Sequence, residues 1–355
     1  MPLSRAQIVV PCWHFADTFA ALTAQWGFQV DAIFPADAPS TAEVSGYGVS
    51  LYLVSRTHAP RDAPITLRLL GSWPPPLPLP LADIIIEWRD DTGGMEIPPG
   101  EQTFTITRAT EAWGVGRAGM EYRDLIADRY GGRFIASHIR IPEGGAVPDY
   151  VHYHRVRFQF IYCRRGWVQV VYEDQGEPLV MHAGDAVLQP PGIRHRVLAA
   201  SAGLEVIELG CPAIHETRSD PGLTLPNDRL APEREFSGQR FVRHIAAHAN
   251  WQPWMWLGQV VDGFVARDSG IGWATKGLAG VKVVRATGNA QTPMVLHTGE
   301  LLFLFLLEGA LVLRSDTHGE HTLHASDSLT IPAGMAVSLR VEKGVEFLEV
   351  AMPAA

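Results

Sequence analysis

Cysteine is scarce in this 355-residue chain: Cys12, Cys163 and Cys211 are its only three, odd in number and far apart. They exclude a disulfide framework and a Cys-x-x-Cys metal knuckle, and a reducing, cytoplasmic setting is expected. Positive charge is also in short supply, with 29 lysines and arginines against 38 acidic residues and a net charge of −9. Nucleic acid or an anionic membrane would want a basic face, so neither is expected as a partner and a small molecule is. No uninterrupted apolar run approaches the roughly 20 residues that a membrane span needs. The N-terminus lacks the apolar core and cleavage site of a signal peptide. What remains is an ordinary globular composition, 46% apolar and 19% charged. At roughly 100 to 200 residues per domain, the length predicts two or three domains.

Helical periodicity is confined to the start of the chain. Phe15, Phe19, Leu22 and Trp26 fall on one helix face that ends at Gly27, between a strand at Gln7–Pro11 and further strands at Phe28–Phe34, Gly48–Val54 and Ile65–Leu70. This small α/β region, residues 1–72, resembles one βαβββ module of the glyoxalase/bleomycin-resistance group. Its strand Ile65–Leu70 offers no carboxylate, so no metal site is carried over, and His14 and His58 read as surface or turn residues. A break follows at Trp73–Pro80, where five prolines in seven residues exclude a helix interior or a central strand. Residues 73–104 are therefore expected to be an extended linker with leading strands.

Beyond the linker, short apolar strands alternate with Gly, Pro, Asp and Asn turns, the texture of a β-sandwich or barrel. The stretch repeats itself. Gly166 corresponds to Gly309 at an offset of 143, and Pro190-x-Gly192 to Pro332-x-Gly334 at an offset of 142. Two copies of one β-unit are predicted, at 105–220 and 221–355.

The first copy carries the chemistry. His152-Tyr-His154 is followed after four residues by Gln159 and after six more by Gly166, and then come Gly184-Asp185 and Pro190-Pro191-Gly192-x2-His195. Residues two apart on a strand share a face, so His152 and His154 both point inward, and the two turns swing His195 back towards them. Three neutral imidazoles at one point make a metal site for Fe, Zn, Mn, Ni or Cu, with positions left open for water or substrate.

These residues resemble the two signature motifs of the cupin superfamily, G-x5-HxH-x3-4-E-x6-G and G-x5-PxG-x2-H-x3-N, and the repeat makes the chain similar to a bicupin. The resemblance implies a mainly β fold of two jelly-roll barrels behind the small α/β region. It departs in three places: Gly145 is displaced by one position, the glutamate is Gln159, and the asparagine is Ala199. An amide is at best a weak neutral ligand and no useful base, so Gln159 is expected as a fourth ligand, as a hydrogen-bond donor beside the metal, or as a polar residue bonded to a neighbouring backbone group. A site without that carboxylate keeps the metal's full charge and should favour small anionic oxygen donors. The resemblance adds that three-histidine cupins lacking the carboxylate are often iron(II) dioxygenases, which favours Fe(II) and an oxidoreductase. A non-redox isomerase, cyclase or lyase, or a non-catalytic small-molecule-binding cupin, are the alternatives.

Further candidates line up around the motif. Tyr150 shares the parity of the histidines and reads as a cavity phenol or as rim packing. Arg157 and Arg194 read as groups for a substrate carboxylate or as solvated rim. Cys163 follows Gln159 and Ile161 in alternation, as a buried filler. In the second copy the ligand positions become Val295, His297, Leu302 and Val337, which cannot hold a catalytic ion. That copy is expected to be a packed structural barrel, with Phe303–Leu307 supplying core and an interface, a homodimer being one possibility.

Overall fold

The computed structural model describes residues 3–56, 65–71, 84–90, 95–116 and 120–353. His58 and the proline-rich segment 73–80 lie outside them. Strands dominate, arranged in two barrels preceded by a small α/β unit.

In that unit the strand Leu3–Cys12 pairs in parallel with Val49–Ser55 and antiparallel with Ile65–Gly71. Thr41–Gly46 is a strand that the sequence reading did not name; Thr-Ala-Glu-Val-Ser-Gly has too weak an alternation to announce itself. The helix Phe15–Ala20 runs on as a π-helical turn, Ala21–Gln25. The wider π turn breaks the 3.6-residue register. Phe15, Phe19 and Leu22 pack on the sheet, whereas Trp26 is 63% exposed, correcting its expected place on the buried face. The unit is joined to the first barrel through one sheet, because its strand Gln29–Phe34 pairs with Thr217–Ser219, which pairs with His152–His154.

The first barrel closes two sheets over an apolar interior. One carries Leu179–His182, Trp167–Tyr172, His195–Ala200 and His152–His154; the other carries Ala186–Leu188, Phe158–Arg165, Leu204–Cys211 and Ile135–Ile141. The second barrel repeats the plan with a core of Trp254, Trp256, Leu302, Leu304 and Leu306 among others. Edge strands cross the expected boundaries in both directions. Thr105–Thr107 pairs with Ser328–Thr330 of the second barrel, and Val242–His244 pairs with Ala186–Leu188 of the first. Alternation then builds the contact between the barrels: Phe158, Phe160 and Tyr162 from one and Phe303, Phe305 and Leu307 from the other share a single buried cluster. The interface expected at Phe303–Leu307 is thus formed with the first barrel.

Matching hydrogen bonds establish the repeat at backbone level. The Gly192 N–H donates to the His154 carbonyl at 3.1 Å, and the Gly334 N–H donates to the His297 carbonyl at 2.9 Å. Gln189 donates likewise to Gln159 at 2.9 Å, and Ile331 to Leu302 at 3.0 Å. The pair His152–His195 has its counterpart in Val295–Val337. His297, left alone, donates Nε2–H to the Ile331 carbonyl at 2.7 Å and accepts the Gly299 N–H at Nδ1, a satisfied core histidine.

Candidate metal centre

His152 and His154 project from one face of a three-residue strand, and strand pairing sets His195 directly opposite His152. The turn Pro190-Pro191-Gly192 returns the chain to this point, with Gly192 at φ +77°, a conformation that a side chain would strain. The ring centroids of His152 and His195 are 4.3 Å apart, and each lies 5.2 Å from His154. One nitrogen from each ring lies within 4.8 Å of the others, and all three side chains are buried. Among the described residues this is the one such gathering of three or more His, Cys, Asp or Glu side chains.

Each ring is fixed through Nδ1. His152 Nδ1 bonds the Tyr150 carbonyl at 2.7 Å and lies 3.5 Å from the buried Asp149 carboxylate. His195 Nδ1 bonds the Ile193 carbonyl at 3.1 Å, and His154 Nδ1 meets the Thr217 hydroxyl at 3.1 Å. Asp149 is itself held by the Val197 N–H at 2.9 Å. Such partners set the tautomer and direction of an imidazole and make Nε2 the nitrogen available to an ion. The donor set therefore fits a divalent metal.

A cavity with about 680 Å³ of empty space opens onto the three rings. Its body is apolar, with Ile139, Ile161, Val170 and Met181 among the walls, and its polar end adds Gln189 and Glu208 to the imidazoles. That combination suits a small, mostly apolar molecule oriented by a few polar groups. Gln189 donates to the Tyr172 hydroxyl at 3.0 Å, and its carbonyl oxygen is buried without a partner. Burial pushes the Tyr172 phenol well above its ordinary range, so the ring against His195 stays protonated. A second space of about 520 Å³ lies against His154 and Glu208 and is bounded by Pro35, Ala36 and Asp37 of the N-terminal unit. There His215 packs edge-on against His154, with its pKa lowered by burial.

The other sequence candidates fall differently. Gln159 is buried but does not line the cavity; its amide donates to Glu208 at 2.6 Å. Glu208 puts a carboxylate on the cavity wall that the sequence reading did not name, outside the close group of histidines, which itself holds none. Arg157 does not reach the cavity: both its terminal nitrogens bind Glu300 of the second barrel, at 2.7 and 3.1 Å. Arg194, next to an inward histidine on an alternating strand, points outward to Asp220 at 3.0 Å and over the Tyr153 ring. Tyr150 lies edge-on against His152 at 5.7 Å and is absent from the cavity walls. Cys163 is fully buried in the first-barrel core, and burial raises its thiol pKa to about 12. The sequence reading missed Asp149, Thr217, Gln189 and Glu208. A signal for Glu208 did exist, since Leu204-x-Val206-x-Glu208 puts a carboxylate on the core face of a strand.

Residues 137–208 match the cupin domain family. Among solved structures, the oxalate decarboxylase of Lactobacillus farciminis, in complex with formate, superposes with a TM-score of 0.52 at 11% identity, covering 72% of this chain and 88% of that one. The oxalate decarboxylase of Bacillus subtilis gives 0.51 at 13%, over 72% and 79%. The salicylate 1,2-dioxygenase of Pseudaminobacter salicylatoxidans gives 0.50 at 15%, over 72% and 86%. No curated protein matches the sequence. Residues 137–208 are thus a cupin domain; over the rest of the chain the likeness is one of fold, and the repeated hydrogen bonds make the second barrel a copy of the same plan that lacks the histidines.

Proposed function

We propose that the chain is a metal-dependent enzyme, an iron(II) three-histidine dioxygenase acting on a small, oxygen-bearing organic anion, with His152, His154 and His195 as the ligands. The observation that carries this reading is the close set of three buried imidazoles with no carboxylate inside it. Iron(II), when bound, supplies the capacity to activate oxygen and to polarise a coordinated substrate. The protein's own part follows from the residues. Tyr150 and Ile193 carbonyls, Asp149 and Thr217 aim the rings. Apolar walls keep water away, Gln159 orients Glu208, and the Gln189 carbonyl oxygen accepts a hydrogen bond from the bound molecule. Among the described residues no Arg or Lys lines the cavity, so the reading narrows to substrates whose single anionic oxygen is met at the metal. The same fold serves the salicylate 1,2-dioxygenase, and one structure of that enzyme holds gentisate adducts.

Glu208 favours a second reading, a non-redox isomerase, cyclase or lyase, because it offers the proton acceptor that such chemistry requires. Oxygen uptake separates the two. Protein purified without air, loaded with iron(II) and given enediols, catechols and 2-oxoacids should consume oxygen with at least one of them. No uptake with any sinks the dioxygenase reading, and turnover without oxygen by zinc- or manganese-loaded protein establishes the second. A ligand that raises the melting temperature and is recovered unchanged would instead mark a binding protein.

A further inference from the structure

On the opposite face of the strand Phe158–Arg165 from the metal centre, a second cleft runs along the seam between the barrels, with about 1090 Å³ of empty space. It shares no lining residue with the histidine cavity. Strand pairing lines up its walls. Tyr162 is opposite Ala186, and Ala186 is opposite His244, so these three form one row across the first barrel's sheet. Arg267 and Val283 are paired in the second barrel and face the same space.

Three of these walls carry polar groups. Tyr162 is 6% and His244 9% exposed, and both side chains line the cleft. The Arg267 guanidinium has no carboxylate partner among the described residues, and its buried Nε–H is unpaired. It lies over the Trp251 ring at 4.2 Å from the centroid, with Arg285 at 4.3 Å from the same ring. The surrounding charges are otherwise satisfied: Arg164 and Arg165 share Glu205, and Arg285 is paired with Glu346. Glu308 stands exposed at the rim. Buried donors in native proteins are almost always partnered, so the unpaired Arg267 Nε–H, in a guanidinium with no ion pair among the described residues and beside the Tyr162 phenol and the His244 imidazole, marks a place built for something else, even with Glu308 and Glu346 on the same walls.

We propose that this seam is a binding site for a small oxyanion, of carboxylate or phosphate chemistry, held by the Arg267 guanidinium with the Tyr162 hydroxyl and the His244 imidazole. The planar guanidinium matches two oxygens of such a group, and the phenol donates to a free lone pair on one of them or, in phosphate, to a third oxygen. The walls come from both barrels, so a bound anion ties one to the other, and the site is independent of the metal reading.

Titration calorimetry on the full chain, with inorganic phosphate and with acetate as separate probes, tests this. One equivalent should bind per chain and weaken with added salt, and the stronger probe distinguishes the two chemistries. Arg267→Gln should weaken binding about tenfold, Tyr162→Phe a few-fold, and Arg267→Lys should retain part of it. His195→Ala should leave it unchanged, which separates the seam from the metal centre. Failure of both probes to saturate the protein, or equal binding by folded Arg267→Gln, overturns the proposal. Should Arg267→Gln not fold, Tyr162→Phe decides, since undiminished binding there overturns it as well.

Discussion

The Gln159 side-chain amide donates to a carboxylate oxygen of Glu208 across 2.6 Å, from neighbouring strands of the first barrel. The residue expected beside the metal therefore acts through another, and Glu208 is the group that meets the cavity. Gln159→Glu would set two carboxylates at hydrogen-bond distance, where both cannot be ionised without cost. The variant should still bind metal through the histidines but lose about 1–3 kcal/mol of stability at neutral pH, recovering part of it in mild acid, where one carboxyl is protonated. Gln159→Met, which removes the donor without adding charge, should be less costly. Metal analysis and denaturant unfolding at two pH values check both; a Gln159→Glu protein as stable as wild type at pH 8 would mean that the amide bond does not matter.

His152→Ala and His195→Ala should each abolish stoichiometric metal binding, since two imidazoles do not make a tight divalent site here. Asp149→Asn and Thr217→Val leave the ligands in place and touch only what aims them. They should weaken metal affinity by about 10–100-fold without unfolding the barrel. Elemental analysis after dialysis against a graded chelator series measures all four, and a Thr217→Val protein with wild-type affinity would remove Thr217 from this role.

How much of this could be read from the chain depends on how far each relation reaches. The histidine set was legible because short-range geometry creates it: alternation aligns His152 with His154, and two turns return His195. The same alternation could not choose between cavity and rim for Tyr150, and closeness in sequence could not choose between them for the arginines. Tyr150 precedes the strand, and Arg157 lies in an irregular stretch between strands, where parity carries no information. Its partner Glu300 is contributed by the other barrel. For Arg194 alternation could have chosen the rim, since its neighbour His195 faces inward. Thr217 and Glu208 reach the site only through strand pairing, which no local pattern encodes. The degenerate copy was legible from offsets alone, because a repeat maps each ligand to a counterpart.

Glu205 organises a half-buried polar network at the barrel junction. Its carboxylate accepts a hydrogen bond from His138 and ion-pairs with Arg164, and these hold its pKa down to about 2, with the exposed Arg165 3.5 Å away. Burial keeps His138 neutral and the Arg123 guanidinium faces its Nδ1, so His138 contributes an N–H rather than a charge. On that basis the carboxylate is worth about 2 kcal/mol. A depressed folded pKa gives stability that is present above the ordinary carboxylate value of 4.5 and lost as pH falls towards 2. Glu205→Gln should thus be destabilised at pH 7 and approach wild type near pH 2 to 3, as followed by urea unfolding across that range. A constant deficit at every pH would assign the effect to packing.

Glu349 presents the opposite sign inside the second barrel. It is buried, accepts the Trp254 indole N–H at 3.2 Å, and has Lys282 at 4.0 Å as its ion-pair partner among the described residues. Burial raises its pKa to about 7. The fold accommodates the protonated form, so stability is fully present below the unfolded value of 4.5, declines as pH rises, and is lost by the time the pH passes about 7. Glu349→Gln keeps the shape and the acceptor for Trp254 while removing the titration. It should match wild type near pH 4.5 and exceed it by about 2–3 kcal/mol at pH 8, less whatever Lys282 loses when its partner becomes neutral. Urea unfolding at the two pH values provides the measurement, and a gain of the same size at both would show that Glu349 carries no proton that folding holds. The pH-dependent gain would place the cost in the barrel without histidines, since Glu349 lies on the strand Glu346–Met352 of the second copy, opposite Leu304.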